Sequence, residues 1–168
     1  MMKKILVVLS VFMLLKPVMI NAQVYDILLK GGHVIDPKNR TDGIMDVAVK
    51  DGKIARIAKS IEASEARRVI NTSGMYVTPG IIDLHVHVYY GTKTDQGIMN
   101  GPTSVQPDAF SFRAGVTTFV DVGSSGWRSF PDFKRQTIDN SQTRVLAFLN
   151  IAAEGMRGGP FEQTTLDM

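Results

Sequence analysis

Cysteine is absent from all 168 residues, so the chain has neither disulfide bonds nor thiolate metal ligands. A lipid anchor on cysteine is excluded for the same reason. The chain contains only three histidines, at positions 33, 85 and 87. Any metal site must therefore be built from these few imidazoles and from carboxylates.

Long apolar runs are also scarce, and the longest covers residues 5–15. It follows a basic start, is interrupted by Lys16 and Pro17, and is followed by the small residue Ala22, which together predict a signal peptide over residues 1–22. A membrane anchor is the alternative, but a spanning helix needs about 20 apolar residues. We therefore expect an exported protein, periplasmic or extracellular, with no stable membrane insertion once the leader is removed.

The chain lacks a charge excess outside this leader. The whole sequence has 19 Lys and Arg against 16 Asp and Glu, but three of the lysines and none of the acidic residues lie in residues 1–22. The mature part is therefore balanced at 16 charges of each sign. A balanced charge gives no electrostatic footprint for nucleic acid, so we expect no nucleic-acid partner.

Residues 23–78 have the pattern of a strand-rich subdomain. Glycines at 31 and 32 predict a turn between two strands, and Asp51-Gly52 is a strong hairpin signal. His33 follows the first of these turns and is expected to be a half-exposed structural residue rather than a ligand. The predicted strands cover residues 25–30, 33–36, 46–50, 53–58, 68–71 and 75–77.

The stretch TPGIIDLHVHV, residues 78–88, combines a proline-glycine turn with an apolar strand that carries two histidines. Alternation along a strand predicts that Asp83, His85 and His87 share one face. Two imidazoles one pleat apart can reach one metal ion at the usual Zn–N distance of about 2.0–2.1 Å. A His-x-His pair also occurs as hydrogen-bonded structural residues, so the surroundings must decide between the two.

The rest of the chain alternates strands and helices. Strand, helix, strand, helix, strand is the repeat of a parallel α/β structure, and the apolar strands indicate burial on both faces. The long loop at residues 89–107 is either a pocket wall or a solvated connection. The predicted elements are a strand at 81–88, a helix at 108–114 ended by Gly115, a strand at 116–122, a helix at 127–140 and a strand at 143–152.

PGIIDLHVHV resembles the first barrel strand of the amidohydrolase superfamily, and the resemblance continues on both sides of it. Upstream, YDILLKGGHVIDP and DVAVKDGKIARIAKSI resemble its small β-sandwich; downstream, FRAGVTTFVDVGSSGW resembles its second barrel strand. The resemblance implies an α/β fold with part of a small β-sandwich at residues 23–78. Residues 79–168 would be an incomplete TIM-type (β/α) barrel, about its first three strands, because a whole barrel takes about 250 residues.

The same resemblance implies a function. His85 and His87 would bind a divalent metal, expected to be zinc, with one or two ions in the intact protein. The remaining ligands and the general base would lie on later strands, so no catalytic residue is assigned in this fragment, which is expected to be inactive alone. The implied activity is that of an exported metal-dependent amidohydrolase, which hydrolyses an amide or cyclic amide C–N bond of a small molecule with metal-activated water.

Two alternatives stay open: a non-catalytic binding or structural remnant of the same fold, and a deaminase of the same superfamily. A homo-oligomer is also possible. Dihydroorotases usually carry an arginine soon after the second histidine, whereas this chain has Val88-Tyr89-Tyr90. This departure favours the deacetylase or aminoacylase branch.

Three further residues are candidates for contacts with the histidines or the substrate, each with a structural alternative. Asp83 could orient a histidine or make a structural hydrogen bond. Asp121 could contact a ligand or cap the following turn, and Arg128 could pair with a substrate carboxylate or with Asp132. The segment GSSG, residues 123–126, could hold a carboxylate at a helix start, but an ordinary strand-to-helix turn is favoured.

Overall fold

The computed structural model describes residues 23–158. These residues form two compact units, and the chain passes from the first to the second between Val77 and Thr78. Both units contain a β-sheet, and the two α-helices of residues 23–158 lie in the second, so the α/β class is confirmed. None of the helices described is long and apolar enough to cross a membrane. The predicted leader, residues 1–22, lies outside the described residues and stays a prediction.

The first unit is a five-stranded mixed sheet in the order β3-β2-β1-β4, with β5 also paired to β1. Apolar side chains from three of its strands and from the loop after β3 meet in a small core of Leu28, Ala48, Ile61 and Ala66. The strands are β1 (Tyr25–Asp36), β2 (Thr41–Lys50), β3 (Lys53–Ala58), β4 (Ala66–Asn71) and β5 (Tyr76–Val77).

The predicted turn at Gly31-Gly32 is wrong, because residues 25–36 form one continuous strand. Gly31 has a left-handed φ of 75°, and the register of β1 against β2 shifts between Leu29 and Gly32. The glycine therefore makes a β-bulge within the strand instead of reversing the chain. The reversal occurs after Asp36, whose carboxylate accepts the backbone N–H groups of Lys38 and Asn39.

The predicted hairpin at Asp51-Gly52 is confirmed. Both residues have left-handed φ values, 50° and 69°, as a two-residue type I′ turn requires. In the middle of β2, Asp46 is buried and accepts hydrogen bonds from Lys30 Nζ, Gly31 N and Ile61 N at 2.7–2.9 Å. This carboxylate therefore ties together β1, β2 and the loop that follows β3.

The second unit is a three-stranded parallel sheet in the order β6-β7-β8. Phe133 of α2 is fully buried against Phe119 of β7 and Val145 of β8. The elements are β6 (Ile81–Val86), α1 (Pro107–Ala114), β7 (Val116–Gly126), α2 (Phe130–Gln136) and β8 (Arg144–Asn150). The parallel βαβ arrangement predicted for this region is thus present.

Two boundaries differ from prediction. The predicted helix at 127–140 starts only at Phe130, because Pro131 fits the first turn alone, and it ends at Gln136 before a short 3-10 turn. Residues 123–126, predicted as a strand-to-helix turn or anion site, are instead the end of β7. The helix ended by Gly115, which adopts a left-handed φ of 69°, is confirmed.

The expectation that the strands are buried on both faces is wrong for the part of the chain described. Leu84 of β6 and Phe148 of β8 remain 69% and 66% exposed, and Ile82 and Leu146 are exposed as well. The reason is that α2 packs against the face that contains Phe119, while these side chains of the opposite face stay open in the part of the chain described. Closure of this sheet into a barrel, and of the first sheet into a sandwich, stays a prediction.

Candidate metal centre

A bulge in β6 decides where the two histidines point. Asp83 is in register with Phe119 and Val86 with Asp121, so three steps on β6 match two on β7. Since Phe119 and Asp121 lie on the same, helix-covered side of β7, Asp83 and Val86 share that side. His85, next to Val86, therefore points to the open face, and the predicted grouping of Asp83 with the histidines is wrong.

The two imidazoles are neighbours at the carboxyl end of this strand. The ring centres of His85 and His87 are 5.8 Å apart, with the ring planes nearly perpendicular at 89°. At a Zn–N distance of about 2.0–2.1 Å, rings this close can share one ion. Because α2 packs against the other face of the sheet, an ion held here would lie on the open face. It would also lie at the carboxyl end of the strand, where parallel α/β proteins have their sites.

One ring nitrogen of His87 already has a protein partner. Its Nδ1 lies 2.9 Å from Oγ of Ser124, a fully buried residue near the end of β7. The Nε2 atom is thereby left as the nitrogen that can bind a metal. Ser124 was missed by sequence reasoning, because a serine in GSSG gives no sign of which histidine will lie opposite it.

Asp121 holds the ends of β6 and β7 together. It is fully buried, its Oδ2 accepts the backbone N–H of Val88 at 2.8 Å, and its Oδ1 accepts that of Ser124 at 2.8 Å. These are structural contacts to the backbone, although Ser124 belongs to β7 itself and not to a turn after it. The carboxylate also fixes the backbone beside His87.

The other two candidate residues make local contacts. Asp83 accepts the backbone N–H of His85 at 3.0 Å, so its described hydrogen bond is to the backbone and not to a ring. Arg128 forms an ion pair with Glu154 at 2.8 Å, and its guanidinium lies 5.1 Å from the ring centre of Trp127. Asp132, the partner considered for Arg128 from the sequence, forms an ion pair with Arg135.

Two loops pack beside the histidines. In the loop after β6, Tyr89 is buried and stacks on Phe133 with ring centres 4.8 Å apart. Burial, together with the nearby Asp132, raises the pKa of Tyr89 to about 12, so its hydroxyl stays protonated. The start of this loop is therefore packed, whereas residues 92–95 are exposed, and a role of the loop as a pocket wall stays a prediction.

The loop after β8 forms backbone hydrogen bonds both to β7 and to the loop after β6. Met156 donates its N–H to the carbonyl of Gly123 and accepts one from Met99, while the carbonyl of Arg157 accepts two more from Gly97 and Ile98. Because Gly123 adjoins Ser124, both loops lie near the His87 contact. They are positioned to form walls of a site on this edge.

The metal-ligand set of the described chain is small. Among residues 23–158, no group of three or more His, Cys, Asp and Glu side chains is arranged to hold a metal. The pair of neutral nitrogen donors fits a borderline metal such as zinc, which also takes water or other ligands. Two imidazoles alone would bind it weakly.

Two other features do not belong to this centre. A cavity of about 260 Å³ lies between α1 and α2, lined by residues that include Tyr90, Asp108 and Gln136 but neither histidine of the pair. His33, in the first unit, has its Nε2 2.6 Å from a carboxylate oxygen of Asp42. The cavity is therefore not part of the His85–His87 site, and His33 has a carboxylate partner within its own unit.

A parallel α/β sheet with a His-x-His pair at the carboxyl end of its first strand is the arrangement expected of the amidohydrolase superfamily, and comparisons with known proteins agree. The chain is 37% identical over 117 residues to a deacetylase from Brucella anthropi. This aligned region covers 69% of this chain and 27% of the deacetylase. No protein-family model matches the chain.

Solved structures give the same answer. A dihydroorotase matches 77% of this chain and 32% of its own, with a TM-score of 0.63 and 32% identity. An adenine deaminase matches 80% of this chain and 33% of its own, with a TM-score of 0.60 and 30% identity. The chain is therefore homologous to the N-terminal part of amidohydrolase-superfamily enzymes, and the predicted family resemblance is confirmed. It spans about a third or less of the length of these relatives.

Proposed function

We propose that this chain is part of a metal-dependent amidohydrolase that hydrolyses an amide or cyclic amide C–N bond of a small molecule. The observation that carries the proposal is the neighbouring pair of imidazoles, His85 and His87, at the carboxyl end of the first strand of the parallel sheet. Homology to a deacetylase and a dihydroorotase supports the same chemistry.

The residues present fit the first half of such a site. His85 and His87 would hold a divalent metal, expected to be zinc, which when bound supplies a Lewis acid that polarises a carbonyl and lowers the pKa of water. Asp121 and Ser124 hold His87 and the backbone next to it. The packed loops after β6 and β8 would limit access of water to the reacting bond.

A deaminase is the second candidate, because an adenine deaminase shares the fold at 30% identity. Both reactions break a C–N bond with water, but only deamination of an aminopurine releases ammonia from an exocyclic amine. A coupled assay for ammonia therefore separates it from release of acetate or opening of a cyclic amide.

The test is hydrolysis by the metal-loaded translation product of the whole coding sequence, because the 168 residues alone are expected to be inactive. The substrates are N-acetyl amino acids, dihydroorotate and adenine, with and without a chelator. We expect chelator-sensitive turnover of an amide, lost in His85→Ala and His87→Ala. Metal binding without turnover of any substrate would favour a non-catalytic remnant, and the absence of metal binding would refute the proposal.

Export is part of the proposal and has its own test. The basic and apolar residues 1–22 ending at Ala22 support removal of a leader. Secreted or periplasmic protein is expected to begin at Gln23 on N-terminal sequencing. Recovery of the chain from the cytoplasm with Met1 intact would refute export without affecting the hydrolase proposal.

A further inference from the structure

We propose that Ser124 is the positioning residue of His87: its hydroxyl oxygen accepts the Nδ1–H of the imidazole and so leaves Nε2 available for the metal. The inference rests on the proposed metal-dependent function and goes beyond it by assigning different roles to the two histidines. In this arrangement His87 is the pre-oriented ligand, and His85 is the second ligand of the pair.

The contact joins two partly or fully buried atoms at fixed positions. Oγ of Ser124 lies 2.9 Å from Nδ1 of His87, and Ser124 is fully shielded from solvent. Water therefore does not compete for the hydroxyl, and the imidazole nitrogen is the hydrogen-bond partner that the described structure gives it.

The backbone on both sides of this contact is held by one carboxylate. Oδ1 of Asp121 accepts the N–H of Ser124, and Oδ2 accepts the N–H of Val88, the residue after His87. Gly123, which precedes Ser124, is held in addition by Met156 N and Asn150 Nδ2 through its carbonyl. The serine is thus fixed relative to the histidine by bonds that do not involve either side chain.

The two histidines differ in this respect. Within residues 23–158, the ring of His85 has no hydrogen bond. The backbone N–H of His85 donates to the carboxylate of Asp83. A histidine that binds a metal usually donates its other ring N–H to a fixed acceptor, which sets the tautomer and the ring orientation. Of this pair, only His87 has such an acceptor in the part of the chain described.

The adjacent residue provides a matched control. Ser125 is also fully buried, but its Oγ has no hydrogen-bond partner among the described residues. Ser124→Ala and Ser125→Ala therefore remove the same atom from neighbouring buried positions of one strand. A loss of packing affects both variants, whereas loss of the contact with His87 affects only the first.

The experiment is a Zn²⁺ titration of the purified chain, followed through the imidazole NMR signals of His85 and His87, with His33 as the reference. We expect Ser124→Ala to weaken Zn²⁺ binding by about 10–100-fold and Ser125→Ala to leave it unchanged. The nitrogen shifts of the metal-free wild type are expected to show the neutral His87 ring protonated at Nδ1, and this preference is lost in Ser124→Ala.

The possible outcomes separate the two proposals. If Zn²⁺ shifts both rings but Ser124→Ala binds as tightly as wild type, the positioning role is refuted and the metal site stands. If Zn²⁺ shifts neither ring of the wild type, the proposed function and this inference both fail. If Ser124→Ala does not fold, the wild-type tautomer decides, because a ring protonated at Nε2 overturns the inference and one protonated at Nδ1 supports it.

Discussion

Replacing Asp121 by alanine removes the acceptor that joins the ends of β6 and β7. The carboxylate is fully buried and accepts two backbone N–H groups, from Val88 and Ser124, each at 2.8 Å. Each buried N–H left without an acceptor costs about 1–3 kcal/mol, so Asp121→Ala is expected to lower the free energy of unfolding by roughly 2–6 kcal/mol. Asp121→Asn keeps one acceptor and should lose about half as much.

Trp127 is the only tryptophan of the chain and lies in the second unit, so its fluorescence during urea unfolding reports that unit. Asp83→Ala is the control, because the Asp83 carboxylate accepts one exposed N–H and should cost about 1 kcal/mol or less. Hydrogen exchange of the Val88 and Ser124 amides gives a local measure, and both are expected to lose protection in Asp121→Ala.

A loss of less than about 1 kcal/mol, with both amides still protected, would refute the reasoning. It would mean that other groups accept these N–H groups once the carboxylate is gone. A loss confined to one amide would show instead that only one of the two bonds stabilises the strand ends.

Three further predictions follow from other parts of the structure. Burial raises the pKa of Asp46, but the hydrogen bonds from Lys30 and from the Ile61 and Gly31 amides outweigh it and lower the pKa. The contribution of Asp46 to the free energy of unfolding is therefore present above the unfolded pKa of about 3.9 and is lost as the pH falls through the lower folded value. Asp46→Asn should therefore cost about 1–3 kcal/mol at neutral pH and reduce the acid sensitivity of Gly31 and Ile61 amide exchange; unchanged acid sensitivity would contradict this. Phe133→Ala should cost about 3–5 kcal/mol in urea unfolding, because the ring is fully buried, whereas Leu84→Ser should stay within about 0.5 kcal/mol. A large cost for Leu84→Ser would show that a further part of the chain covers the open face.

The hairpin, the helix ended by Gly115 and the βαβ order were predictable because each depends on residues close in sequence. Asp51-Gly52 and Gly115 provide the left-handed φ values that their turns need. The same local reasoning failed at Gly31, since a glycine with φ of 75° makes a turn or a bulge depending on what pairs with it. Only the pairing of β2 with both halves of β1 decides for the bulge.

The candidate site divides in the same way. His85 and His87, two residues apart on an apolar strand, are recognisable as a metal-binding pair in the sequence, and their ring contact in the structure agrees with that pattern. The direction in which they point depends on the register of β6 against β7, which removes Asp83 from their face. Register is set by partners distant in the chain, so strand alternation alone could not show it.

The roles of Asp121 and Ser124 were decided by tertiary structure alone. Ser124 is 37 positions from His87, and Asp121 is 33 positions from Val88, yet both pairs are in hydrogen-bond contact. Residue type and spacing along a strand determine which groups can bind a metal. Which nitrogen of an imidazole is free to do so depends on a neighbour that only the folding of two parallel strands brings beside it.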